Sequence, residues 1–208
     1  MQEQTSEQDL KERLDLISSM IAEGRRTTES WGWTIVLWGV AFYVAIAWSS
    51  GILAGPIWGG HYLAWPVTMI GTFVFVRVLA SNRHKHSKAP ATTIGRAIMS
   101  IWTAMSISMF ALLLPMGLSG RGDQQVYTAV IAAMLATANG ASGILLKWKA
   151  QFACAVVWWL AAAASCFGTI TQSSIAFLVA IFLCQIVFGI YAMICDSRRR
   201  RQYGAVHA

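Results

Sequence analysis

The sequence predicts an all-α integral membrane protein: six transmembrane helices arranged as three hairpins, preceded by a short cytoplasmic amphipathic helix, with both termini cytoplasmic. Three observations carry that reading. Apolar residues make up 56% of the 208-residue chain and charged residues 12%, with a mean hydropathy of +0.54, a balance foreign to water-soluble domains. The apolar residues fall in long runs; at roughly 20 helical residues per crossing, they suffice for about six spans and no sizeable soluble domain. Lysine and arginine, finally, gather in short blocks at the ends of those runs.

The third observation fixes the orientation. Residues 77–96 hold Arg77, Arg83, Lys85, Lys88 and Arg96 and no acid, and such a loop resists translocation and stays on the cytoplasmic side. With both termini on that side, 15 of the 16 Lys and Arg residues are cytoplasmic and Arg121 alone is outside. The net charge of +7 is therefore topogenic rather than a footprint for nucleic acid, which is not an expected partner. The expected location is a plasma or inner membrane.

Three segments follow: residues 1–30 as the cytoplasmic helix, 31–196 as the six-helix transmembrane domain, and 197–208 as a basic cytoplasmic tail. Residues 1–30 carry seven of the nine acids against four basic residues, a net of −3, unlike the basic start of a signal peptide. Leu10, Leu14, Ile17 and Ile21 recur at helical spacing, with Glu7–Lys11 and Asp9–Arg13 as pairs one turn apart. Ser6 and Asp9 form a candidate capping box, and Gly24 is expected to loosen or end the helix. The stripe makes this an assembly helix that needs cover, from the protein's own inner face, a second copy or another protein.

The spans are expected at about 31–53, 62–80, 97–116, 126–146, 152–170 and 175–195. Trp31, Trp33 and Trp48 mark the interfaces of the first, and an uncharged turn at 171–174 joins the last two. Asp123, in an Arg-Gly-Asp turn, is placed to cap the fourth span. Each hairpin's second helix holds a glycine, Gly71, Gly143 or Gly189, before a basic exit, a weak sign of repetition. Cys154, Cys166, Cys184 and Cys195 read as small packing residues within the last two spans.

Between Ser30 and Gly122, and again between Gln124 and Cys195, there is no aspartate or glutamate. Carboxylate proton carriers, acid/base pairs and carboxylate metal centres therefore have no residues inside the spans. His61, expected at the outer surface, is the only histidine near a span, so a buried nucleophile would lack its base. No catalytic, cofactor-binding or metal-ligating residues are assigned; Met105 and Met109, one turn apart, read as core filling rather than as a copper site.

The polar residues that enter the bilayer mark a candidate intramembrane site: Asn139, Gly140, Ser142 and Gly143 in the fourth span and Gln185 in the sixth. Two glycines there weaken the helix, as in the interrupted helices of transporters, while Ala132, Ala136 and Gly140 form a small-residue face suited to close packing. An Asn139–Gln185 hydrogen bond would satisfy both amides. Arg198, Arg199, Arg200 and Arg201 are candidate contacts for anionic lipid. The expected function is a non-enzymatic scaffold or regulatory subunit that binds the bilayer and a second copy or a protein partner. The alternative is a small transporter or channel for a neutral, apolar or anionic solute, built around a break at residues 139–143.

Overall fold

A computed structural model describes residues 2–52, 63–84, 93–119 and 123–206. Every regular element among them is helical: α1 (Gln2–Ser30), α2 (Gly32–Ser49), α3 (Ala64–His84), α4 (Thr93–Ser119), α5 (Gln124–Leu145), α6 (Lys149–Phe167), α7 (Ile170–Ile181) and α8 (Phe188–Val206). A π-helical segment, Phe182–Val187, joins α7 to α8 without a break. Most of the basic loop (residues 85–92), the turn at 53–62 with His61, and Arg121 and Gly122 lie outside the described residues, as do the side chains of Ser6, Glu7 and Arg83.

Among the described residues, five stretches are long and apolar enough to cross a membrane: Gly32–Ser49, Thr93–Leu112, Gln124–Leu145, Lys149–Phe167 and Ile170–Gln202. The apolar part of α3 covers Ala64–Leu79 among the described residues, with Arg77 near its end.

Two boundaries depart from the expectation. The turn between the last two spans is Gly168–Thr169 rather than 171–174. Thr169 N–H donates to Gln172 Oε1 (2.9 Å) and Gln172 N–H to Thr169 Oγ1 (3.3 Å), a capping box that starts α7 at Ile170. Likewise, α1 neither starts at a Ser6 cap nor ends at Gly24; it runs from Gln2 to Ser30, and one residue, Trp31, separates it from α2. Gly24 serves packing instead: a Cβ there would lie 2.8 Å from the Ile94 side chain and 3.0 Å from that of Leu146. Two local expectations hold: Asp123 Oδ1 accepts from Gln125 N–H at 2.7 Å at the start of α5, and Asp9 pairs with Arg13 at 2.9 Å.

The core gathers around α2, α5, α6 and the α7–α8 helix. Phe42, Ile131, Leu135, Trp158, Phe177 and Ile181 are buried there, with Trp158 edge-on to Phe177 at 5.5 Å and Phe42 edge-on to Trp65 at 5.8 Å. Met109 belongs to this core and Met105 packs against it. Helix α2 meets α8 backbone to backbone: a Cβ on Gly32 would lie 2.8 Å from Gly189 O, and one on Gly189 2.7 Å from Val36 Cγ2. Gly143 approaches the Phe152 backbone just as closely, at 2.7 Å, whereas Gly71 faces open space. The three hairpin glycines are therefore not equivalent.

Contacts gather four distant segments at one end of the bundle, called here the terminal end. Gly24 of α1 lies against Ile94 at the start of α4 and Leu146 at the end of α5, and Glu29 of α1 meets Arg199 of α8.

Candidate functional site

The densest charged arrangement among the described residues lies at that terminal end, on a residue the sequence did not mark. Glu29 is 1% exposed, and a buried carboxylate persists only where cations and hydrogen bonds compensate its lost hydration. Arg25, one turn earlier on α1, donates from Nε to Glu29 Oε1 at 3.1 Å; a terminal nitrogen of Arg199 on α8 lies 2.7 Å from Oε2, an ion-pair contact whose angles fall outside hydrogen-bond geometry. The Arg25 guanidinium also lies 5.2 Å over the Trp148 ring, a cation–π contact, and Trp148 packs on Phe188 at 5.0 Å. One carboxylate thus ties the first helix to the last, with the α5–α6 turn as a floor.

That turn is unusual. Lys147 N–H donates to Ile144 O (3.1 Å) and Trp148 N–H to Gly143 O (2.9 Å), the paired bonds of a Schellman motif, whose left-handed position glycine normally fills. Here it is Lys147, at φ 48°, the sole non-glycine residue with positive φ among the described residues. The conformation costs a lysine roughly 1 kcal/mol.

Beside the ion pairs an open cleft of about 600 Å³ is lined by Arg25, Lys147 and Arg199 as its cations, with Ile21, Ala22 and Leu146 on its apolar side. No carboxylate among the described residues lines it.

The intramembrane residues are arranged otherwise than expected. Helix α5 is continuous through residues 139–143. The glycines are absorbed by packing: Gly140 faces Trp159 and Ala155, and Gly143 the Phe152 backbone. Ala132 and Ala136 are fully buried, in keeping with a small-residue face. Asn139 Nδ2 donates to Leu135 O at 2.8 Å within its own helix. Ser142 is fully buried, and its hydroxyl has no hydrogen-bond partner among the described residues. Gln185 sits in the π-helical segment, its Cβ facing Gly39 so closely that a Cβ there would be 2.6 Å away. Such segments often occur at functional sites, and no residue pattern announced this one.

The arginine cluster separates by role. Arg199 turns inward to Glu29, Arg200 pairs with Asp196 at 2.9 Å, and Arg198 and Arg201 are exposed. On α1, Leu10, Leu14 and Ile17 remain exposed at 61%, 58% and 52%, while Ile21 reaches the cleft.

A second polar cluster, also missed, holds α5, α6 and α7 together at the opposite end. Thr128 and Ser173 hydroxyls are 2.8 Å apart, Ser173 donates to Ser165 Oγ at 2.8 Å, and Ser165 donates to Ala161 O at 2.9 Å. Gln125 Nε2 adds a bond to Gly168 O at 2.7 Å.

No protein-family model, curated protein or solved structure matches the chain.

Proposed function

We propose that this protein is a six-pass membrane subunit without enzymatic activity, and that it assembles with a second copy of itself through α1. The carrying observation is the open stripe of Leu10, Leu14 and Ile17 on a helix whose far end is clamped by Glu29. A clamped amphipathic helix with an uncovered apolar face is an assembly element awaiting its partner. Charge selects the partner. Residues 1–30 carry a net −3 and the rest of the chain +10, so two α1 helices repel while α1 is attracted to the basic terminal face of another copy, where Arg96, Arg198 and Arg201 are exposed.

The gathering of α1, the start of α4, the α5–α6 turn and the end of α8 at one end supports three out-and-back hairpins and hence six crossings. The basic blocks at that end favour placing it in the cytoplasm. The unbroken, closely packed α5 favours assembly over a solute path.

The test is the mass of the full chain in mild detergent, by light scattering, with and without residues 2–22. The full chain is expected as a dimer or larger and the truncated chain as a smaller species, still inserted because Arg25 and Arg26 flank the first span. A full chain that is monomeric, or an assembly unchanged by truncation, would refute the reading. Cysteines introduced at residues 60 and 119 are expected to label from outside intact cells and one at residue 87 only after permeabilisation; the reverse pattern refutes the orientation.

A further inference from the structure

We infer that the cleft at the terminal end is a binding site for a phosphate group, held by Arg25, Lys147 and Arg199, as carried by an anionic lipid headgroup or by a soluble phosphate ester. The argument begins with the charge balance. Three cations line the cleft, and Glu29, the one carboxylate bonded to two of them, is 1% exposed and lies behind them. The local balance is thus +2, presented on a wall without acid among the described residues.

Geometry adds to charge. Glu29 engages only Nε of Arg25 and one terminal nitrogen of Arg199 in ion pairs, and a guanidinium has five N–H donors. Both forks therefore keep donors for a second anion, and both are held in place, Arg25 by Trp148 and Glu29 together and Arg199 by Glu29. Fixed guanidinium forks suit phosphate oxygens better than mobile side chains do, because less rotamer freedom is lost on binding.

Lys147 supplies the independent observation. Its backbone position suits glycine, yet the chain carries a cation there at φ 48°, and that cation lines the cleft. A residue kept in an unfavourable conformation points to a role beyond folding. Ser18 and Gln202 add polar groups at the rim, and Ile21 with Leu146 forms an apolar flank. Leu146 also marks where α5 leaves its apolar span, the depth at which headgroup phosphate meets acyl chain.

The experiment is native mass spectrometry of the full chain with dioctanoyl phosphatidic acid, with and without excess inorganic phosphate. One retained lipid per chain is expected. Lys147→Gly is expected to weaken retention about fivefold, the share of one surface charge, and at the same time to raise the unfolding temperature by relieving the left-handed strain. Loss of binding together with gained stability cannot be a folding defect. Ala22→Trp, which fills the cleft and keeps every charge, is expected to weaken retention likewise, while Arg198→Gln, outside the cleft, leaves it unchanged. Displacement by inorganic phosphate assigns the site to phosphate from either source; persistence in its presence assigns it to lipid. Equal weakening by Lys147→Gly and Arg198→Gln would mean diffuse surface attraction and overturn the site, as would retention unchanged in both Lys147→Gly and Ala22→Trp.

Discussion

The two ends of the bundle are closed by different chemistry. At the terminal end, Glu29 joins α1 to α8 through two arginines and a tryptophan floor. At the opposite end, the hydroxyls of Thr128, Ser173 and Ser165, with the Gln125 amide, join α5, α6 and α7 without a formal charge. The difference teaches what each closure can do. Hydroxyls that also bond their own helix backbone lose little when a neighbour leaves, whereas a buried carboxylate stripped of its cations is left at full desolvation cost. The neutral end is a tolerant seam; the charged end is a single joint whose parts depend on one another, and it leaves cationic donors facing outward.

The largest expected effect sharpens that contrast directly. Glu29→Ala is expected to destabilise the protein by about 2–3 kcal/mol, below the roughly 3–5 kcal/mol for removing a partner of a fully buried pair, because both arginines keep contact with solvent. Thermal unfolding in detergent measures it, and added salt should shrink the difference from wild type. At the neutral end, Ser173→Ala is expected to cost only about 1 kcal/mol, with no salt dependence, because Ser165 still donates to Ala161 O and Thr128 to the backbone of its own helix. If the two substitutions cost the same and respond alike to salt, the distinction between the ends is wrong. The smallest effect is expected from Gly71→Ala: its Cβ would meet open space, and alanine is the better helix former, so stability should rise by a few tenths of a kcal/mol up to about 1. A loss there would mean that α3 is covered by something outside the chain.

Much of the fold was legible in the sequence because long apolar runs have few alternatives to helix in a bilayer. Asp123 and the Asp9–Arg13 pair were legible because caps and one-turn pairs are local. The clamp was not. Glu29 follows Arg25 by one turn, the pattern of an ordinary solvated pair, and its second partner lies at Arg199, far along the chain. Thr169 and Gln172 did carry a local signal, a capping box inside an apolar region, but the uncharged residues 171–174 were the more obvious turn. Lys147 carried none, since a Schellman turn without glycine looks like the end of any basic-flanked span. The close approaches of Gly32 and Gly39 to the last helix likewise depend on which helices become neighbours, which helix periodicity does not encode.

The π-helical segment Phe182–Val187 acts on the last helix as a phase shifter. One residue of extra winding turns everything beyond it by about 100° relative to a plain α-helix. Ser173 and Phe177, before the segment, and Phe188, Ala192 and Arg199, after it, all face protein. The segment lies between the two closures: the hydroxyl seam fixes one end of the rod and Glu29 the other, so its winding enters the angle between them. A change of one residue in its length is a rotation rather than a shortening, and it would swing Arg199 off Glu29 while leaving the seam at Ser173 intact.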